Sequence, residues 1–592
     1  MAFMQMKEVL IQRLSALAEE AGLAADLVTV GYPEDATNGD FTTNLALVGA
    51  KSLKLSPRAL ADKLIAAATG KWPDFVAEVS VAGPGFINFK IKPDSLTKQI
   101  IMMASHIKSG AKSGDWLKSN LAEMRAGEAG AITAPVMIEY TDPNIFKVFH
   151  IGHLMSNTIG ESISRLIEAS GTPVIRLCYP ADIGLHVAKA VWAVQKNLSE
   201  MPADQAPIAL RTAFLGRMYV LGTQTYDADP VAKAEIDELN KKLYEGTDPA
   251  VQKIYHRGRT WSLDHFEELY RILGTKFDTY FYESNMAPIG LSVVRQNLGK
   301  VFVESDGAIV FHGEEHGLHT RVFVNSHGLP TYEAKDLGLN ITKFEHYPEA
   351  AQSIIVTASE QNEYFKVMLK VLSLVDERDG SKTKHIGHGM MRFASGKMSS
   401  RTGNVITAES LLSDMRELVR AKMAERAETL DPGEADKIAT QVAIAAIKYT
   451  ILRQTVGSDI VFDSAKSISF EGDSGPYLQY AAVRAAAVLA KANAAGIKPA
   501  EKIPASMVPG QLERLLGRFA DVMARAGLEQ APQLVATYLI ELAAAFNSFY
   551  SDHTIADPAE PQAPYRVALV QTFLAAMTDG LWLLGITVPR LM

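Results

Sequence analysis

Two histidines three residues apart, His150 and His153, enclose Gly152 in the segment His150-Ile151-Gly152-His153. On a helix this spacing puts both imidazoles on one face. At a helix start, free amides and the macrodipole favour phosphate. Imidazole donors there would stabilise charge that grows on an α-phosphate as pyrophosphate leaves. Gly152 has no Cβ, so a base or ribose can approach its backbone closely. Alone, the pair also fits two hydrogen-bonded surface histidines, or part of a metal site that would have to recruit carboxylates. A second segment, Gly396-Lys397-Met398-Ser399-Ser400-Arg401-Thr402-Gly403-Asn404, follows roughly 240 residues later. A mobile Lys397 can close over a triphosphate and follow its charge into the transition state. Taken singly, that segment is equally an ordinary basic loop.

The elements that must position these groups can be read from pattern. Val136–Tyr140 is a short buried strand, Thr141-Asp142-Pro143-Asn144 a polar turn, and a helical pattern then runs to about Gly171. Strand, loop and helix in this order open a nucleotide-binding α/β unit. Strand-like runs at 174–177, 321–324 and 353–356 continue the alternation, and residues 192–273 read as a helical insertion. Upstream, Leu10, Leu14 and Leu17 mark an amphipathic helix, with strands expected at 76–81 and 85–90. The predicted division is a small α/β domain over 1–92, a Gly- and Ser-rich linker over 93–134, a Rossmann-like parallel-sheet domain over 135–407, and an all-helical domain over 408–592.

Composition narrows the function classes. The chain has 592 residues, 47% of them hydrophobic and 21% charged, which fits several folded domains and excludes disorder. No apolar run is long enough to span a bilayer and no targeting segment is visible, so a cytoplasmic protein without membrane contact is expected. The one cysteine, Cys178, excludes an intrachain disulfide and a cysteine-rich zinc site, and is read as core. A net charge of −8 argues against a general nucleic-acid footprint. Locally, however, Lys382, Lys384, Arg392, Lys397 and Arg401 occur between Ser381 and Arg401 with no acidic residue among them, and a polyanion could bind there.

Together, in this order and ahead of a helical C-terminal region, the two segments resemble the paired motifs of class I aminoacyl-tRNA synthetases. The wider stretch from Ile138 to Leu154, with Pro143-Asn144-Ile145 ahead of Lys147, resembles the arginyl-tRNA synthetase form. Gly39-Asp40-Phe41 with Asn44, and Val81 to Asn88, are similar to that family's N-terminal tRNA-binding domain. Gly475 to Ala481 with Arg484, Glu541-Leu542 and Phe546 to Tyr550 are similar to its anticodon-binding domain. Two departures stand out: Ser400 replaces the second lysine of the general class I loop, and Thr402 a position often basic in this family. Lys397 must then carry most of the phosphate contact.

The resemblance implies ATP with Mg²⁺, L-arginine and tRNA(Arg) as substrates, no zinc, and a monomer. His150, His153 and Lys397 would be catalytic, with Lys147, Gly152, Met398 and Ser399 at the nucleotide. Glu139, Tyr332 and Asp336 would hold the guanidinium, and Asn144 and Gln361 the α-amino and carboxylate end. Asn44, Tyr477, Gln479 and Arg484 would contact tRNA. The chemistry agrees, because a planar five-donor guanidinium calls for enclosed carboxylates. Such a site refuses lysine or citrulline without editing. A lysine-specific class I enzyme, a tRNA-binding paralogue without catalysis, and an adenylating nucleotidyltransferase are the alternatives.

Overall fold

The computed structural model describes residues 3–107, 112–125, 134–394, 406–425, 431–502 and 508–592. The N-terminal unit comprises helix α1 (Phe3–Glu20), strand β1 (Phe41–Thr43), helices α2 (Leu45–Gly49) and α3 (Pro57–Ala67), and strands β2 (Val76–Ala82) and β3 (Phe86–Ile91). Its strands pair antiparallel in the order β1-β3-β2. Phe41, Ile87, Phe89 and Ile91 bury against Leu10, Leu14 and Leu17 of α1, the leucine stripe visible in the sequence.

The stretch expected to be a linker carries two packed helices, α4 (Pro93–Ser105) and α5 (Asp115–Arg125). Its Gly and Ser content is offset by Ile100, Trp116, Leu117 and Leu121, all buried. Trp116 stacks on Phe519 at 5.5 Å. The first turn of α5 donates Gly114 N–H and Leu117 N–H to the two oxygens of Asp579, at 2.6 and 2.8 Å. A carboxylate remote in sequence thus satisfies amides that a helix start leaves open.

The central sheet is parallel, in the order β11-β10-β4-β5-β6. From β4 (Val136–Tyr140) the chain runs through α6 (Ile151–Ala169) to β5 (Val174–Cys178). The helices α7 (Leu185–Lys196), α8 (Ile208–Ala228), α9 (Pro230–Glu245) and α10 (Pro249–Leu273) follow, then β6 (Thr279–Tyr280) and α11 (Glu283–Gln296). Next, β7 (Val303–Ser305), β8 (Ala308–Phe311) and β9 (Arg321–Val324) form their own antiparallel sheet. The run at 321–324 therefore does not continue the parallel alternation; it pairs antiparallel with β8, which the turn at Asp306-Gly307, with φ of 50° and 77°, joins to β7. Helix α12 (Tyr332–His346) returns the chain to β10 (Gln352–Ala358), then α13 (Asn362–Val375), α14 (Glu377–Lys382) and β11 (Thr383–His388). Because β5 lies on one side of β4 and β10 on the other, the order reverses at β4. Open α/β sheets bind ligands at the carboxyl ends of strands beside such a reversal.

The C-terminal part contains α15 (Ala408–Ala424), α16 (Pro432–Leu452), the short α17 (Ser464–Ser467), α18 (Gly475–Ala494), α19 (Gln511–Glu529), α20 (Pro532–Asp552) and α21 (Ala563–Leu583). It is not wholly helical. Strand β12 (Met391–Phe393) pairs in parallel with β13 (Ile460–Phe462), so chain from beyond 408 completes a ladder begun before it. Among the described residues, no helix is long and apolar enough to cross a membrane.

Candidate active site

His150 caps α6 with extended backbone (φ −90°, ψ 170°), and His153 is the third residue of the helix. His150 N–H donates to His153 Nδ1 at 3.3 Å. With Nδ1 accepting, neutral His153 carries its proton on Nε2, which leaves that N–H as a donor. The two rings stack at 3.6 Å between centroids and 19° between planes. A Cβ on Gly152 would stand 3.0 Å from the His150 ring, tighter than ordinary contact, so glycine favours this stack.

Burial, with Lys147 adding to it, lowers the pKa of His150; burial, then His150 and Lys147, holds His153 well below its ordinary value. Both rings are thus neutral N–H donors at neutral pH, and Lys147 supplies the positive charge on this side. Its ammonium rests 4.9 Å from the Tyr219 ring centroid on α8. The insertion also braces the turn: the Phe146 ring fits where Gly258 of α10 has no side chain, and Phe146 N–H donates to Ser262 Oγ at 3.0 Å.

Lys397, Met398 and Ser399 lie outside the described residues. Chain on both sides of them is placed. Before them comes β12, and after them His150 bridges Thr407, Ile151 N–H donates to Ile406 O at 3.2 Å, and Ala408 N–H donates to Phe149 O at 2.9 Å. Residues 406–408 are therefore bonded to the start of α6, directly beside the histidine pair.

Past β4, Thr141, Asp142 and Phe146 all adopt left-handed backbone, with φ of 84°, 42° and 63°. Such strain in non-glycine residues persists only where surrounding contacts over-determine it. Thr141 N–H donates to Ser156 Oγ at 3.0 Å, and Asp142 Oδ1 accepts from Tyr179 N–H at 2.7 Å. The turn gathers carboxylates. Glu139 is 5% exposed and pairs with Lys343 of α12; Glu283 is 3% exposed and pairs with Lys335. Asp336 accepts from Tyr364 Oη at 2.6 Å.

Glu139, Asp142, Glu283 and Asp336 thus share a buried region with Lys335 and Lys343, and each lysine is already paired. The two remaining carboxylates show the strain of that surplus. Burial pushes the pKa of Asp336 up to about 7, with Glu139 and Glu283 adding to it. Burial and then Glu139 push Asp142 well above the carboxylate range. A cationic ligand would relieve both.

Of the other expected arginine contacts, Asn144 follows β4 and bridges Ala181, and Gln361 ends the turn after β10, both at the same sheet edge. Tyr332 opens α12, half exposed, with the Lys335 ammonium 4.3 Å from its ring centroid. In the helical part, Tyr477 Oη accepts from Asn547 Nδ2 at 2.9 Å, Asn547 Oδ1 accepts from Arg484 at 2.7 Å, and Arg484 lies over the rings of Tyr480 and Tyr550. Gln479 does not join this surface. It is fully buried, and its amide donates to Thr587 O at 2.6 Å and Gln441 O at 3.3 Å, because the helix turns that position inward. Asn44 Oδ1 accepts from Thr29 Oγ1 at 2.9 Å on the N-terminal unit.

Sequence reasoning passed over Asp142, Glu283, Lys335 and Lys343. Asp142 stands within the Ile138–Leu154 motif and Lys335 beside Asp336, whereas Glu283 and Lys343 have no signal in their local sequence. Three family descriptions match the chain. "Arginyl tRNA synthetase N terminal domain" covers residues 4–91, "tRNA synthetases class I (R), catalytic domain" 117–464, and "DALR anticodon binding domain" 478–592. The chain belongs to the arginyl-tRNA synthetase family. The arginine–tRNA ligase of Bacteroides thetaiotaomicron is 31% identical over 487 residues, covering 78% of this chain and 81% of its own. That of Borreliella afzelii is 27% identical over 585 residues, with 96% of each covered. The arginyl-tRNA synthetase of Thermus thermophilus shares the fold at a TM-score of 0.76 and 23% identity, covering 99% of this chain and 100% of its own.

Proposed function

We infer that this synthetase activates L-arginine with ATP and transfers it to the terminal adenosine of tRNA(Arg), releasing AMP and pyrophosphate. The observation that carries the arginine assignment is the buried carboxylate surplus beside the histidine pair. Arginine brings two cations, and among the described residues Asp142 and Asp336 are the two of these four carboxylates without an ion-paired lysine. In the first step the arginine carboxylate attacks the α-phosphate of ATP, with Mg²⁺ entering as part of the nucleotide. His150 and His153, as neutral donors, bond to the phosphate oxygens, while Lys147 and Lys397 balance the charge. Gly152, Met398 and Ser399 line the nucleotide. Glu139, Tyr332 and Asp336 hold the guanidinium, and Asn144 and Gln361 orient the α-amino and carboxylate groups. In the second step the ribose hydroxyl of tRNA attacks the adenylate, and no covalent enzyme intermediate forms.

The reading places tRNA contacts at Asn44 in domain 1–92 and at Tyr477 and Arg484 in domain 408–592, on a monomeric cytoplasmic enzyme. Arginine activation requires bound tRNA. ATP–pyrophosphate exchange with each of the twenty amino acids, with and without total tRNA, tests this. Exchange with arginine alone, in the presence of tRNA, is the expected result. Exchange with lysine and not arginine would overturn the assignment, and arginine exchange without tRNA would remove only the coupling.

A further inference from the structure

Tyr179 follows β5 directly, and its ring packs in the apolar cluster of Met137, Leu177, Phe281 and Met286. It is 6% exposed, and its backbone N–H is the group that Asp142 Oδ1 holds at 2.7 Å. Among the described residues, its hydroxyl is buried without a hydrogen-bond partner. The nearby tyrosine, Tyr364, donates its hydroxyl to Asp336 at 2.6 Å. Burial, and then the carboxylates Glu283, Asp336 and Glu139, raise the pKa of the Tyr179 hydroxyl well above its ordinary value. A buried hydroxyl left orphaned among carboxylates marks a place where another group is meant to bind. Two of those carboxylates, Glu139 and Asp336, are the groups assigned to the guanidinium.

Resting on the arginine reading above, we propose that Tyr179 is a further specificity-determining residue whose hydroxyl oxygen accepts one N–H of the substrate guanidinium. Its own proton is then directed to a neighbouring carboxylate. A guanidinium carries five N–H donors in a fixed plane, enough to serve Asp336 and Glu139 and still reach this oxygen. The compact ammonium of lysine has three donors and is drawn to the carboxylates first, so the Tyr179 hydroxyl stays unpaired. An unpaired buried polar group is what makes a site reject a near-cognate ligand.

Tyr179→Phe removes one oxygen and keeps the ring. On the full-length protein, arginine affinity is measured by calorimetry, arginine and lysine are compared in exchange with tRNA present, and the thermal midpoint is recorded without ligand. The expected result is arginine binding weakened by about 10- to 100-fold, the size of one hydrogen bond to a charged group. The arginine-over-lysine ratio falls, and the ligand-free midpoint is unchanged or higher. Unaltered arginine affinity overturns the proposal, as does weakened binding accompanied by a lowered midpoint, which would make Tyr179 a fold-supporting residue. If the unsubstituted protein shows no arginine-dependent exchange, the arginine reading itself fails, and this proposal with it.

Discussion

On the proposed guanidinium contact, Asp336, whose pKa burial pushes up to about 7, ties arginine binding to a proton. Its pKa in the folded chain lies above the unfolded value, so between about pH 4 and pH 7 the ligand-free fold binds a proton that the unfolded chain has released. Stability falls as pH rises through that window. A guanidinium against Asp336 pulls its pKa down and expels the proton, so arginine affinity rises with pH up to about 7 and levels off above it. Calorimetry at about pH 6 in two buffers of different ionisation enthalpy reads the expected release of a substantial fraction of one proton. Equal heats in both buffers would refute it. At the histidine pair, His153→Ala removes a neutral donor and should slow adenylate formation by about 10²–10³-fold with little change in tRNA affinity; single-turnover adenylation and gel retardation at fixed salt check the two halves. The residues legible in the sequence were those in contiguous motifs, such as His150, His153 and Glu139. Lys343 and Glu283 were not, since their place depends on α11 and α12 being brought against β4, and Gln479 misled because proximity to Tyr477 along the chain is not proximity of face.

At the scale of elements, α12 does most of the positioning. It carries Lys335, Asp336 and Lys343, and it is set against α11 by close backbone approach: a Cβ on Gly290 would stand 1.8 Å from Ala334 O. Gly290→Ala must push these helices apart, at a cost of roughly 1–3 kcal/mol, and move Lys335 and Asp336 away from the pocket. Urea unfolding and the arginine KM in exchange should both worsen. A wild-type KM in the destabilised variant would show that α12 does not set the site. Strands β4 and β10 were readable because buried strands of a parallel sheet carry continuous apolar runs, here Val136-Met137-Ile138 and Ile354-Ile355-Val356. The two-residue β6 and the β12–β13 ladder were not, because each is defined by a partner distant in sequence rather than by its own composition. Helix α5 was hidden for a related reason, since Asp579 provides the cap that the local sequence lacks.

At the scale of the whole molecule, the N-terminal unit is joined to the helical part by a few charged contacts. Asp40 is fully buried, accepting from Arg514 Nε at 2.7 Å and from Ile91 N–H at 2.7 Å. Lys7 pairs with Asp521 at 2.8 Å, and Arg518 lies over Tyr32. Asp40→Ala should weaken this junction by roughly 2–3 kcal/mol, seen as faster limited proteolysis near residues 92–134 and a higher KM for tRNA, with calorimetric arginine affinity preserved. Equal loss of arginine affinity would mean the junction supports the catalytic sheet as well. The carboxylate surplus also has a consequence for how long the protein lasts. A cation that relieves those carboxylates stabilises the fold, which makes arginine supply a determinant of lifetime. By mass action, arginine at about a hundred times its dissociation constant adds about 2.7 kcal/mol to the folded state. Arginine depletion is therefore expected to leave the protein more open to cleavage, read as faster digestion by a test protease without arginine than with it.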